Sequence, residues 1–214
     1  MTYDDMEGRL EMKDNISNFW YYYKMYVLVG LFILAVAFVL IMFSIGNSEP
    51  DIQIGYVTDG REIGEDAEAA INSHFEKVIQ DVNKDDNKIL DFVPMMGPRV
   101  DVEFSDEGVQ IMLLDGHTLQ VYKEKGVFEP LDEFVDKYQI DISGNEEIMA
   151  TPQGQSEKHI YALPMNKVKY LLDYGFPADN YYLTMRVEYE KNETAKMKSK
   201  NANIVLEKML EYKG

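Results

Sequence analysis

The stretch MYVLVGLFILAVAFVLIMFSI, residues 25–45, constrains this chain more than any other. It carries no charged residue, and none follows until Glu49. As a helix rising roughly 1.5 Å per residue it would span about 31 Å, close to the thickness of a bilayer's hydrocarbon layer. Its apolar residues are not confined to one face, which argues against an amphipathic helix lying on a surface. Core helices of soluble domains rarely run so long without a polar residue. A cleavable signal peptide is the nearer rival. The apolar run exceeds the usual h-region of about 7–15 residues, starts after a mixed-charge leader, and is followed by no A-x-A-like site. The segment reads as an uncleaved signal anchor crossing a lipid bilayer.

Just upstream lies FWYYYKMY. Trp20, Tyr21, Tyr22, Tyr23 and Tyr26 form an aromatic girdle of the kind that sits at headgroup depth, and Lys24 can snorkel toward phosphates. Arg9, Lys13 and Lys24 precede the span, whereas Arg61 alone follows it before Lys77. By the positive-inside rule the N-terminus is cytoplasmic and residues 51–214 are extracytoplasmic. The expected organisation is a leader at 1–24, a transmembrane helix at 25–45, a short linker at 46–50 and a folded domain at 51–214. With no cysteine in the chain, attachment through a lipidated cysteine is excluded, as are disulfides, thiolate metal sites and cysteine nucleophiles.

Charge excludes one class of partner. Lys and Arg number 21 against 38 Asp and Glu, which leaves no basic surface to displace counterions from nucleic acid.

In the region beyond Pro50 strand and helix patterns alternate. IQIGYV, residues 52–57, is an apolar run closed by the turn residues Thr58, Asp59 and Gly60. Residues 65–82 have helical spacing. Residues 88–93 and 100–104 read as strands separated by Pro94, Gly97 and Pro98. VQIMLL, residues 109–114, is uniformly apolar and suits a central strand covered on both faces. Helices are expected at 119–125, 131–138, 166–172 and 193–212, and strands at 159–165 and 181–189. This alternation predicts one three-layer α/β lobe with a mostly parallel sheet.

Two phrases carry a family resemblance. IMLLDGHTLQVYKEKGVFEPLDEFVDKYQIDIS, residues 111–143, and HIYALPM, residues 159–165, resemble the first lobe of the extracellular solute-binding proteins of bacterial ABC importers. The layout from residue 20 onward is also similar to short single-pass proteins of Gram-positive bacteria with an aromatic-rich anchor and one such lobe. The resemblance implies a non-catalytic binding domain. It also implies one lobe where a complete receptor closes two over its solute. Open α/β sheets bind ligands at the carboxyl ends of their strands. That edge would include Thr58, Asp59, Asp115, His117, Thr118 and Asn166, with a small-molecule solute as candidate partner.

Other chemistry is weaker. In DVNKDDNK, Asp81, Asn83, Asp85 and Asn87 alternate at the spacing of the first ligands of an EF-hand-like loop, so Ca2+ is a candidate. Asp86 stands where the turn glycine belongs and Phe92 where the bidentate acid belongs; the competing reading is a solvated Asp/Asn turn. His74, His117 and His159 lack ligand spacing, and no G-x-S-x-G, H-E-x-x-H or phosphate loop occurs. An extracytoplasmic enzyme is therefore the remote expectation. An accessory subunit packing against a membrane protein such as a transporter is the alternative to a solute-binding role.

Overall fold

The computed structural model describes residues 3–45, 49–58, 63–97, 99–105, 108–152, 154, 156–188 and 192–214. The chain divides into two units, residues 1–48 and 49–214.

The first unit is one helix, α1 (Tyr3–Ile45). It starts well before the apolar run, so the charged leader is helical too. Within it, Phe19–Met42 is long and apolar enough to cross a membrane, and none of its most apolar window is buried. Ring contacts follow helical spacing: Phe19 stacks on Tyr23 at 5.1 Å and Tyr23 meets Tyr26 at 6.4 Å. Trp20, Tyr21, Tyr22, Tyr23, Lys24 and Tyr26 are all exposed.

The second unit contains β1 (Ile52–Val57), α2 (Glu65–Phe75), β2 (Leu90–Met95), α3 (Arg99–Ser105), β3 (Ile111–Asp115) and α4 (Gly116–Tyr122). There follow α5 (Asp132–Tyr138), β4 (Met149–Ala150), β5 (His159–Ile160), β6 (Leu163–Pro164), α6 (Lys169–Asp173), β7 (Tyr181–Met185) and α7 (Glu193–Glu211). The main sheet has the order β2-β1-β3-β7-β6, and β4 pairs with β5 in a separate two-stranded ladder. β1 is parallel to β2 and to β3, while β7 is antiparallel to β3 and to β6. Four strands thus share one direction and β7 alone is reversed. Helical crossovers from β1 to β2 and from β2 to β3 produce the parallel part.

Residues 111–114 of β3 are all buried, which places helices on both faces of the sheet as the uniform apolar run requires. α2, α6 and α7 are joined by a ring cluster in which Tyr170 meets Phe75 at 5.4 Å and Tyr212 at 5.2 Å. On α3 and α4, Phe104 stacks on Tyr122 at 4.0 Å, and the Tyr122 hydroxyl donates to Asp101 Oδ1.

The entry of the domain is fastened by two fully buried polar residues, Asp51 and Asn201. Asp51 Oδ1 accepts from the Val82 N–H at 2.6 Å and Oδ2 from the Ile89 N–H at 2.8 Å. Asn201 donates from Nδ2 to the Asp51 carbonyl at 3.2 Å and to the Gln80 carbonyl at 2.8 Å, while its Oδ1 accepts from the Gln80 N–H at 2.7 Å. A buried carboxylate is stable there because backbone donors replace its water.

Several element expectations are corrected. Residues 100–104 alternate apolar and acidic as a strand would, yet they form α3. Val100 and Phe104, four apart, bury together, Val102 stays exposed, and Arg99 pairs with Glu103 at 3.2 Å one helical turn on. α2 ends at Phe75 rather than near residue 82, because the next backbone groups turn into the Asp51–Asn201 knot. HIYALPM splits between β5 and β6. Pro94 sits inside β2 without breaking it. The carbonyls of Ile89 and Met95 face β1, so by alternation Pro94 faces the open edge, where its missing N–H costs no ladder bond.

Candidate ligand cleft

The carboxyl ends of β1, β2, β3 and β6 share one edge of the sheet, and β7 starts there. A cleft of about 460 Å³ opens beside the ends of β1 and β3. Its walls are Tyr56, Val57 and Thr58 from β1 and its exit, Ile63 and Gly64 before α2, Leu113 of β3, residues 174–177 after α6, and Tyr181 of β7.

Each wall is set by local chemistry. α6 closes with the Gly175 N–H on the Leu172 carbonyl at 3.0 Å and the Phe176 N–H on the Leu171 carbonyl at 3.1 Å. Gly175 has φ +89°, a left-handed conformation that favours glycine, and this swings Phe176 back under the cleft. There Phe176 meets Tyr56 edge-on at 6.4 Å and Phe92 at 5.8 Å. Across the opening, the Tyr181 hydroxyl donates to the Val57 carbonyl at 3.3 Å, tying the start of β7 to the end of β1. The Ile63 N–H donates to the Tyr56 hydroxyl at 3.5 Å. Behind Tyr174, whose ring lies 5.1 Å from that of Tyr170, burial pushes the Tyr170 hydroxyl well above the usual phenol range.

Of the residues expected at this edge, Thr58 lines the cleft. Asp59 lies outside the described residues. Asp115 and Thr118 are engaged with each other, Asp115 Oδ1 accepting from the Thr118 N–H at 2.7 Å as the N-cap of α4. His117 is exposed on α4 and Asn166 is exposed in the 3-10 turn Met165–Lys167. None of Asp115, His117, Thr118 and Asn166 lines the cleft. The aromatic wall, Tyr56, Tyr174, Phe176 and Tyr181, was not anticipated. The sequence signal for it was YGFP, an aromatic–glycine–aromatic–proline turn placed shortly before a strand.

The Asp/Asn loop forms consecutive side-chain turns. Asp81 Oδ1 and Oδ2 accept from the N–H groups of Lys84 at 2.6 Å and Asp86 at 3.0 Å. Asn83 Oδ1 accepts from the Asp85 N–H at 3.1 Å, and Asp85 Oδ1 from the Asn87 N–H at 2.9 Å. Lys84 and Asp86 adopt positive φ to allow this. Among the described residues, no cluster of three or more His, Asp or Glu could hold a metal ion.

The histidines are dispersed. His159 Nδ1 lies 3.3 Å from Asp132 Oδ2, and the same oxygen accepts from the Ile160 N–H, so the contact joins β5 to the start of α5. His74 packs on Tyr170. A second, smaller cleft of about 90 Å³ lies at the opposite edge of the sheet, between the start of β3, the end of β7 and the first turns of α7, with Arg186, Glu188 and Lys198 in its wall.

No protein-family model and no curated protein sequence matches the chain. The chain is similar in part to several solved structures. One is the N-glycan transport solute binding protein NgtS from Streptococcus pneumoniae in complex with Man1GlcNAc (20% identity, TM-score 0.37, covering 55% of this chain and 25% of that one). Another is a cyclo/maltodextrin-binding protein complexed with maltotetraose (17% identity, TM-score 0.34, 56% and 29%). A third is extracellular solute-binding protein family 1 from Alicyclobacillus acidocaldarius subsp. acidocaldarius DSM 446 (21% identity, TM-score 0.31, 55% and 29%). This chain therefore spans between 25% and 29% of the length of these three structures.

Proposed function

We propose that this protein is a non-catalytic binding domain, held at the outer face of a cell membrane by residues 25–45, that captures a small-molecule solute in the cleft beside β1 and β3. The observation that carries this reading is the cleft itself: about 460 Å³, within the range of small-ligand sites, at the strand edge where open α/β sheets bind. The resemblance of residues 111–143 to solute-binding lobes supports it.

The absence of native cysteines makes the test direct. Thr58→Cys in the cleft wall and Glu157→Cys on the exposed surface are expressed separately in the full chain. Intact cells are treated with a membrane-impermeant maleimide. Both positions are expected to label, and a mixture of oligosaccharides, amino acids, short peptides and aromatic small molecules is expected to slow labelling at Thr58→Cys only. Labelling that requires broken cells overturns the orientation. Equal labelling of Thr58→Cys with and without the mixture overturns the solute-binding reading.

One observation favours a second role, accessory contact with a membrane protein. Val102 on α3 and Val121 on α4 are exposed, and they belong to two helices joined by the Tyr122–Asp101 hydrogen bond. A photocrosslinker at Val121 that yields one discrete adduct in native membranes supports that role; random low-yield adducts argue against it.

A further inference from the structure

We infer that the cleft beside β1 and β3 selects uncharged ligands bearing a flat apolar or aromatic ring, and rejects both anions and polyhydroxylated solutes. This rests on the reading of the cleft as a ligand site and adds the chemical class of the ligand.

Among the described residues the wall contains no charged side chain. In a chain of net charge −17 the described wall residues therefore offer an anion no cationic side chain against a repulsive overall field. A charged ligand entering it would lose hydration without an ion pair to replace it.

Four of the wall residues, Tyr56, Tyr174, Phe176 and Tyr181, are aromatic. Their rings supply broad apolar faces that stack offset or edge-on against another ring. Two of the wall hydroxyls already make a hydrogen bond within the protein. Tyr181 donates to the Val57 carbonyl and Tyr56 accepts the Ile63 N–H. Thr58 and Tyr174 are the other described wall residues with a side-chain hydroxyl. A polyhydroxylated solute needs several convergent hydrogen-bonding groups to offset its desolvation, and these walls present rings and aliphatic groups in their place.

The test uses the full chain in lipid nanodiscs with 3-fluorotyrosine in place of tyrosine. The 19F signals of Tyr56, Tyr174 and Tyr181 are assigned by single Tyr→Phe changes. Three probes are titrated: 2-naphthol, its anionic analogue 2-naphthoate, and maltose. The expected result is a saturable shift of the Tyr174 and Tyr181 signals with 2-naphthol, binding of 2-naphthoate at least about tenfold weaker, and no shift with maltose. Thr58→Glu, which places a carboxylate on the half-buried rim, is expected to weaken 2-naphthol by a similar factor; if that variant does not fold, the matched naphthol and naphthoate pair on the wild-type chain decides. Equal or tighter binding of 2-naphthoate overturns the inference. So does a maltose-induced shift of the same signals without one from 2-naphthol, which would leave the solute-binding reading standing. Silence from all three probes also overturns the inference. The protection of Thr58→Cys from labelling then judges the solute-binding reading separately.

Discussion

Replacing Asp51 with alanine tests the chain of reasoning from sequence to fold most directly. The carboxylate is fully buried and receives two backbone N–H groups, from Val82 and Ile89, at 2.6 and 2.8 Å. Removing it strands both donors. A buried donor left unpaired costs about 1–3 kcal/mol. The Val82 bond is wholly buried and the Ile89 bond partly so, which places the loss at about 2–4 kcal/mol. With a urea dependence on the order of 2 kcal/mol per molar, the unfolding midpoint should fall by about 1–2 M. The measurement is urea unfolding of the full chain followed by circular dichroism in the near-ultraviolet at tyrosine wavelengths. The single tryptophan, Trp20, lies on α1 and would report the other unit. Asp51→Asn should lose less, because one acceptor oxygen remains, though its new amide donor confronts a backbone N–H. A midpoint within about 0.3 M of wild type for Asp51→Ala, against the ~1 M minimum expected from this slope, would refute the argument. It would mean that the two N–H groups find water or another acceptor, and that the knot is not what fixes the entry of β1.

Three further outcomes follow from other residues. Burial, reinforced by the hydrogen bond and charge of Asp101, pushes the Tyr122 hydroxyl up to about 12, above the ordinary phenol value of 10.0. The folded state thus holds this proton more tightly, so stability is complete below pH 10, falls as pH rises toward about 12, and loses that slope in Tyr122→Phe; thermal melts at stepped alkaline pH measure it. Gly175→Ala must place a side chain at φ +89°, which should cost about 1–2 kcal/mol in urea unfolding and slow capture at the cleft, because Phe176 follows directly. Calorimetry with millimolar calcium should show no heat at the Asp/Asn loop, since the oxygens of Asp81, Asn83 and Asp85 already hold backbone N–H groups; a saturable heat abolished by Asp85→Ala would show that those turns open to a cation.

Legibility followed the range of the interactions involved. The apolar run and its aromatic border were readable because membrane-compatible length and composition are properties of consecutive residues. β1 was placed at its observed bounds and β3 nearly so, since uniform burial leaves a local apolar signature. α7 was readable within a residue, and its Asn192 cap, with Oδ1 accepting from the Ala195 N–H at 2.7 Å, is a neighbour effect. VDVEF misled because two periods, two and four, both bury Val100 and Phe104, and only the sheet beneath decides between them. Of the residues expected at the strand edge, Thr58 alone among the described ones lines the cleft. Its edge follows from topology, but its rings come from Tyr56, Tyr174, Phe176 and Tyr181, brought together across 125 positions by crossovers that no local window contains. Asp115 and Thr118 drew attention as polar residues at a strand end, and spend that polarity on starting a helix.

The knot at Asp51 has a consequence for biosynthesis. Asn201 reaches the Asp51 carbonyl across 150 positions of chain, so β1 is fastened by a helix made long after it. Until α7 arrives, the backbone groups of Asp51 and Gln80 lack their clamp and β1 is incompletely covered. Contacts of such long separation form slowly and late, and a nascent chain in that condition is a substrate for chaperones and quality-control proteases. A chain cut short before residue 201 would meet that fate with all of its cleft residues already synthesised.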